Sequence, residues 1–348
     1  MAFYYACFAA IALCQLGTRR TVAIRLAAAC FAMFLVAGFR SERVDKDYQG
    51  YIEYYGSVLD SDFANVEPTF IWLSQLVRAS GDNTLLLFVI YAALGIALKM
   101  FGIFRLSRFP VASLLVYYSG FFLLWEMTQI RAAVAGGILL LCIVYIQQRK
   151  LVPFLLLCLL AVMFHLAALV FIPLFLLKPD RAHPLAYYAL IPVGAVLYLA
   201  GFDIVEVADL APLQLIELKI RSYQTYADSD VDNIFNAVYL ARCTLALLLF
   251  ANRDWLSTKN EHFLLMIKMY VIALFLHVAL ASIPGIAGRL SELLLVVEVI
   301  LIPMLVHFFR ERLIGYAVVV AAGLTFLTFS LHYTELLAPY QLAGGDLL

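Results

Sequence analysis

The sequence predicts an all-α polytopic membrane protein, and three observations point that way. The chain of 348 residues is 65% hydrophobic and only 14% charged, with a mean hydropathy of +0.94. Its apolar runs repeatedly approach the roughly 20 residues that cross a hydrocarbon core about 30 Å thick. Lysine and arginine gather in alternate short loops. Backbone groups in lipid must be satisfied by helices or by a closed barrel, and continuous runs such as Leu139–Ile146 lack the alternation of a barrel strand.

Taken in order, apolar spans fall near 2–16, 21–39, 83–104, 110–126, 129–147, 184–201, 234–251, 263–282, 290–309 and 313–331. The first has no basic residue before its apolar stretch and its positive charges follow it, which suits an uncleaved span rather than a signal peptide. Two regions are irregular. Residues 66–80 (VEPTFIWLSQLVRAS) are amphipathic and too short to cross at full thickness, so they read as a re-entrant or interfacial helix. Leu151–Leu177 is long for one upright helix and short for two, and reads as two half-helices meeting near His165. Together these give about 10–12 transmembrane helices plus half-helices, in one integral domain over 1–348 with outer loops at about 40–66 and 202–233.

Orientation follows from the excess of lysine and arginine in cytoplasmic loops. Arg19, Arg20 and Arg25, Arg105 and Arg108, Arg149 and Lys150, Lys178 and Arg181, Arg253 and Lys259, and Arg310 and Arg312 all fall on one side. Opposite lie Arg40–Val66, the Glu126–Arg131 turn, Phe202–Asn233, the Ile283–Arg289 turn and the C-terminal tail, with both termini outward. A formal net charge of zero gives no case for a nucleic-acid partner. The six cysteines stand singly in apolar runs, as buried structural thiols do, and suggest no metal site and no cofactor.

The candidate functional residues lie on the outer side. An arginine at helix depth costs roughly 2.5–3.5 kcal/mol to insert and should face a partner, a cavity or an anionic ligand. Arg131 follows Gln129 in WEMTQIRAAVAGG, and a helix starting near Thr128 would add its positive dipole end to the guanidinium, an arrangement suited to phosphate. A salt bridge with Glu126 is the structural alternative. The small residues after Arg131 would let a neighbouring helix or a ligand approach. Arg289 in IPGIAGRLSE repeats the pattern at a second outer turn, with Glu292 beyond it. Arg242 inside NAVYLARCTL is a third cation, open to snorkelling or ion pairing, and Arg221 a fourth. In the first outer loop Tyr48, Tyr51 and Tyr55 recur at helical spacing behind Asp45 and Asp47, either as an interfacial helix or as stacking faces for sugar rings. His165 would suit a general base or a phosphate contact, although a lone histidine in an apolar run is commonly a helix–helix hydrogen bond. Glu67 before Pro68 suits helix capping first, and is also an outer carboxylate that could accept a proton.

In sequence order, DYQGYIEYY, EPTFIWLSQL, QIRAAVAGGILL, MFHLAALVFIPLFLL, AGRLSE and a late APY resemble the EpsG-like, Wzy-type polysaccharide polymerases of bacterial inner membranes, from about Asp45 to Tyr340. The first loop departs from that pattern in a less glycine-rich approach to Asp47 and Tyr48. The resemblance implies a glycosyltransferase-C-like fold that transfers a glycan from undecaprenyl diphosphate to another lipid-linked repeat unit on the periplasmic face. Arg131, Arg289, Arg242 and Arg221 would then bind the diphosphate, with Gln129, Tyr48 and Tyr51 also on the substrate. His165, Asp47 or Glu67 would take the acceptor proton, without a metal. The partners implied are undecaprenyl-diphosphate-linked glycans and the bilayer, with a chain-length regulator protein as a further candidate. A flippase for lipid-linked saccharides would share the arginines, but internal repeats are common in transporters and this sequence shows no convincing one; a membrane acyltransferase is a weaker alternative.

This topology predicts that single cysteines placed near Asp60 and Asp230, in a chain freed of its own cysteines, react with an impermeant thiol reagent from outside. A cysteine near Lys259 should react only after the membrane is opened. Inverted labelling would overturn the orientation.

Overall fold

The structure, a computed structural model, describes residues 1–17, 21–59, 66–181, 184–202 and 234–344. Arg19, Arg20, Arg221 and most of the second outer loop lie outside the described residues. Among those described, the regular structure is helical, and the spans follow the apolar runs closely. Leu85–Leu106, Ile130–Gln147, Gly285–Phe308 and Arg312–Tyr333 are long and apolar enough to cross a bilayer, and shorter apolar helices accompany them. Proline stands at the first turn of the helices beginning at Pro68, Pro110 and Pro284, where its missing N–H breaks no helical hydrogen bond.

Both irregular regions take the forms their sequences suggest. Pro68–Ala79 is a 12-residue helix. The long apolar run divides into Leu151–Phe164 and a tighter helix, Leu166–Leu176, with His165 at the break. The one integral domain of the sequence reading packs as two compact units. The first holds Met1–Cys142, Leu155–Leu166 and Glu298–Leu348, and the second holds Ile143–Phe154 and Ala167–Val297.

In the first unit, three ion pairs are set among apolar side chains. Arg40 Nε donates to Asp45 Oδ2 at 2.7 Å with both side chains fully buried, and Arg40 also donates to the Ala37 carbonyl at 2.6 Å. Burial pushes the Asp45 carboxyl up from its ordinary value, and the Arg40 guanidinium works against that shift. Lys99 donates to Glu126 and to the Ala133 carbonyl, beneath the rings of Trp125 and Tyr117 at 5.0 and 5.4 Å. Glu126 was the structural alternative as a partner for Arg131, and the structure pairs it with Lys99 instead. The sequence reading passed over this lysine, because one cation does not interrupt a span of 22 residues. The third pair joins Arg131 to Glu67.

The C-terminal tail closes the same unit. It bridges the first outer loop at Arg40–Leu342 and Asp45–Leu337. Tyr4 donates to the Ala338 carbonyl at 2.9 Å, Tyr340 to the Val36 carbonyl at 3.2 Å, and the Phe3 and Tyr340 rings stack at 4.4 Å.

In the second unit, Pro184–Leu199, Ala237–Ala251 and Pro284–Leu295 pack around Phe263–Ala279. Asn236 caps the second of these by accepting from the Tyr239 N–H at 2.9 Å. Lys268 donates to the carbonyls of Lys178 and Arg181. Arg149 closes the end of Leu166–Leu176 through the carbonyls of Phe175 and Leu177 at 2.7 and 3.0 Å.

Removing one member of a buried ion pair leaves the other charge without compensation and costs about 3–5 kcal/mol, whereas removing both is much milder. Lys99→Met should therefore lower the temperature at which the detergent-solubilised protein loses monodispersity on size exclusion. Adding Glu126→Met should restore most of that loss. Equal damage from the single and double variants would show that the pair is not what holds this region.

Candidate functional site

The site is built at three chain breaks in the first unit. Glu67 is extended (φ −70°, ψ 146°) ahead of Pro68, but its carboxylate makes no capping hydrogen bond. It accepts from Arg131 Nη1 instead, so the capping expectation fails: a guanidinium one residue into its own helix offers a stronger partner than a backbone amide. Thr69, two residues on, donates to the Met163 carbonyl at 2.8 Å. That bond fastens the Glu67 helix to the end of Leu151–Phe164, where His165 leaves the helix after its N–H donates to Ala161 at 2.8 Å. His165 Nδ1 thereby comes to 3.8 Å from Glu67 Oε1. The Arg131, Glu67 and His165 side chains are only 15%, 7% and 9% exposed.

Aromatic rings enclose the guanidinium. Arg131 Cζ lies 5.6, 5.3 and 5.8 Å from the ring centres of Tyr51, Tyr54 and Phe70. Phe70 in turn meets Tyr91, which meets Phe164 edge-on, each at 6.2 Å. Tyr54 is 40% exposed and forms the open side. The sequence reading singled out Tyr51 but passed over Tyr54, Phe70 and Tyr91. Tyr54 neighbours Tyr51 and Tyr55 in a run already marked as aromatic, and Phe70 falls within EPTF, so both carried a signal.

The remaining candidates divide. Tyr48 is buried, stacked on Phe88 at 4.1 Å with Arg40 Cζ 5.6 Å from its ring, and so belongs to the support of the outer loop. Asp47 is exposed, and its N–H donates to Asp45 Oδ1 at 3.1 Å. Gln129 is half-buried directly before the Arg131 helix, where its carbonyl accepts from Ala133 at 3.0 Å. The helix begins at Ile130 rather than Thr128. The small residues after Arg131 admit neighbouring side chains: a methyl on Gly136 would strike the Trp125 ring, and one on Gly137 would lie 2.7 Å from Leu98 Cβ.

A second cluster lies in the second unit. Arg242 and Arg289 both act electrostatically on Glu292, and Arg242 also on His277. His277 stacks on Tyr239 at 5.6 Å, with its Nδ1 3.4 Å from Ser291 Oγ. Arg289 does not stand at a helix start as expected. That helix opens at Pro284 and places Arg289 in its second turn, because proline is accepted at the first helical position and the GIAG stretch continues from it. The free amides of the first turn are therefore not beside this guanidinium.

The chain matches the model of the EpsG family over residues 24–342. It belongs to the EpsG family. That family is one of Wzy-like polysaccharide polymerases, and in this EpsG-family chain the motif residues Tyr51, Glu67, Arg131 and His165 meet in one place. No curated protein matches the chain, and no solved structure does.

Because Gly136 admits Trp125, Gly136→Val should force a buried ring to move, at a cost of about 1–3 kcal/mol. Thermal unfolding of the solubilised protein should move down accordingly. An unchanged profile with lost activity would instead reserve the space at Gly136 for a ligand.

Proposed function

We propose that this EpsG-family protein joins undecaprenyl-diphosphate-linked oligosaccharide repeat units by glycosyl transfer, on the periplasmic face of the bacterial inner membrane. The observation that carries the reading is the convergence of Glu67, Arg131 and His165, from three separate segments, in a largely buried site rimmed by tyrosine. The gathering of lysine and arginine in the short loops of the opposite side supports the outward orientation.

The chemistry is a displacement at the anomeric carbon of the donor glycan. An acceptor hydroxyl forms the new carbon–oxygen bond, the bond to the lipid diphosphate breaks, and the hydroxyl proton passes to a base. The leaving diphosphate gains negative charge as it departs, so a fixed guanidinium stabilises the transition state more than the ground state. Arg131 takes that role, with Glu67 neutralising it until the donor arrives. A diphosphate that claims the guanidinium frees the Glu67 carboxylate for His165, 3.8 Å away. An imidazole that becomes charged on taking the proton is stabilised by that carboxylate. The exposed ring of Tyr54 and the neighbouring Tyr51 offer stacking faces for sugar.

The test is deletion of the gene in its host, complemented by the wild type or by Arg131→Ala or His165→Ala, with lipid-linked and surface glycans separated on a gel. Deletion should collapse the polymer ladder to a single repeat unit. Arg131→Ala should fail to restore it, although it is inserted normally. His165→Ala should slow turnover at least about 100-fold, as loss of a general base does, with donor binding retained. Accumulation of repeat units inside the cell, with none at the surface, would point to a flippase.

A further inference from the structure

The first unit contains a second built site, at the end of its helices away from Arg131. The apolar helix Pro110–Trp125 leads from this end toward the Glu126–Arg131 turn, a separation of about 24 Å at 1.5 Å per residue. A cavity of about 260 Å³ opens there, and Arg25, Arg108 and Arg312 line it together with Gln15 and Tyr316. Three separate segments deliver those arginines, Arg25 from the first turns of Val22–Gly38, Arg108 from a loop and Arg312 from a helix start, and the described lining contains no acidic residue. Two helices begin at this cavity: Arg312 is the first residue of Arg312–Thr328, and Pro110 the first of Pro110–Tyr117. Their positive ends add to the charge of the guanidinium groups. Gln15, a half-buried residue of the lining, adds an independent observation. Both Oε1 and Nε2 of its amide are buried without a hydrogen-bond partner among the described residues. A buried amide left this way costs free energy that a ligand's polar atoms would recover.

A second cavity, of about 280 Å³, shares Cys14 and Arg25 with the first. Its character is the opposite. It runs between Ala2–Leu13 and Val22–Gly38, and is lined by Ala10, Ala28, Ala29, Ala32, Met33 and Phe122. The alanines open the space that larger side chains would fill. A cationic pocket beside an apolar groove, with Arg25 lining both, matches the two parts of a lipid: a seat for a headgroup and a channel for a chain.

We infer that this site binds a lipid with a net-anionic phosphate headgroup, its phosphate held by Arg25, Arg108, Arg312 and Gln15 and one aliphatic chain lying in the groove along Ala28, Ala29 and Ala32. Phospholipid and polyprenyl phosphate share that chemistry. The site is distinct from the Glu67–Arg131–His165 cluster and does not rest on the polymerase reading.

The full chain, purified and stripped of lipid, is offered phosphatidylglycerol, phosphatidylcholine or a long-chain polyprenyl phosphate, and retained lipid is counted by native mass spectrometry. Phosphatidylglycerol should be retained at least about tenfold more tightly than phosphatidylcholine, in line with the contribution of each basic residue to binding anionic lipid. The Arg25→Gln/Arg108→Gln/Arg312→Gln variant should lose that preference. Ala29→Phe keeps every arginine but fills the groove, and should also release the lipid. It serves as the control if the triple variant does not fold. Displacement of phosphatidylglycerol by equimolar polyprenyl phosphate would identify the carrier lipid as occupant, and its failure to displace would identify bulk phospholipid. Each of those outcomes supports the site. Equal retention of the two phospholipids would overturn it, as would full displacement by millimolar inorganic phosphate with no effect of Ala29→Phe.

Discussion

An ion pair in an apolar bundle sets the rest of this structure: Arg131 against Glu67. A guanidinium at that depth must be compensated, and its partner lies 64 residues away along the chain. Bringing the two together fixes where the Pro68–Ala79 helix begins and how it meets Ile130–Gln147. The Thr69 bond to Met163 then fixes where the Leu151–Phe164 helix ends. His165 is placed as a consequence, with its Nδ1 3.8 Å from Glu67 Oε1. The same requirement repeats at Lys99–Glu126 and Arg40–Asp45, which pin the turn before Arg131 and the segment leading into the helix Tyr48–Leu59 that carries Tyr51 and Tyr54. Six charges that would be costly alone become a framework when joined in three pairs, one of them within the candidate site.

The span layout was legible in the sequence because length and hydropathy decide it. A 27-residue apolar stretch fits neither one upright helix nor two, and the chain resolves that conflict with a break at His165. The amphipathic segment after Glu67 was equally readable as too short to cross. Pairing was a different matter. Glu126 stands five residues before Arg131, and proximity in sequence suggested a bridge; the intervening turn points Glu126 toward Lys99 on another helix. Local rules also favoured Glu67 as a cap, since a carboxylate before proline ordinarily serves one. Nothing local to EPTF announces a guanidinium from a distant segment.

Which arginines share a site was hidden for a related reason. Arg131 and Arg289 look alike in sequence, each near an outer turn with glycine close by. One stands at the first turn of its helix beside Glu67 and the tyrosines, and the other in the second turn of its own, beside Glu292 and Arg242. Arg25, Arg108 and Arg312 counted in the sequence only as markers of the inner side. Their convergence on one cavity depends on how two helix ends and one loop pack, which hydropathy does not encode.

The closure of the first unit by its tail has a consequence for how the protein is made. Residues near both ends of the chain meet at Tyr4–Ala338, Val36–Tyr340 and Arg40–Leu342, so contacts within this unit span almost the whole sequence. Synthesis proceeds from the N-terminus, and such long-range contacts are slow to form. While translation continues, the Arg40–Asp45 loop and the helices behind it sit in the membrane without the strand-like cover that Leu337 to Leu342 will supply. The first unit to be synthesised is thus among the last to be completed, and it must remain soluble in lipid and unclaimed by other chains throughout that interval.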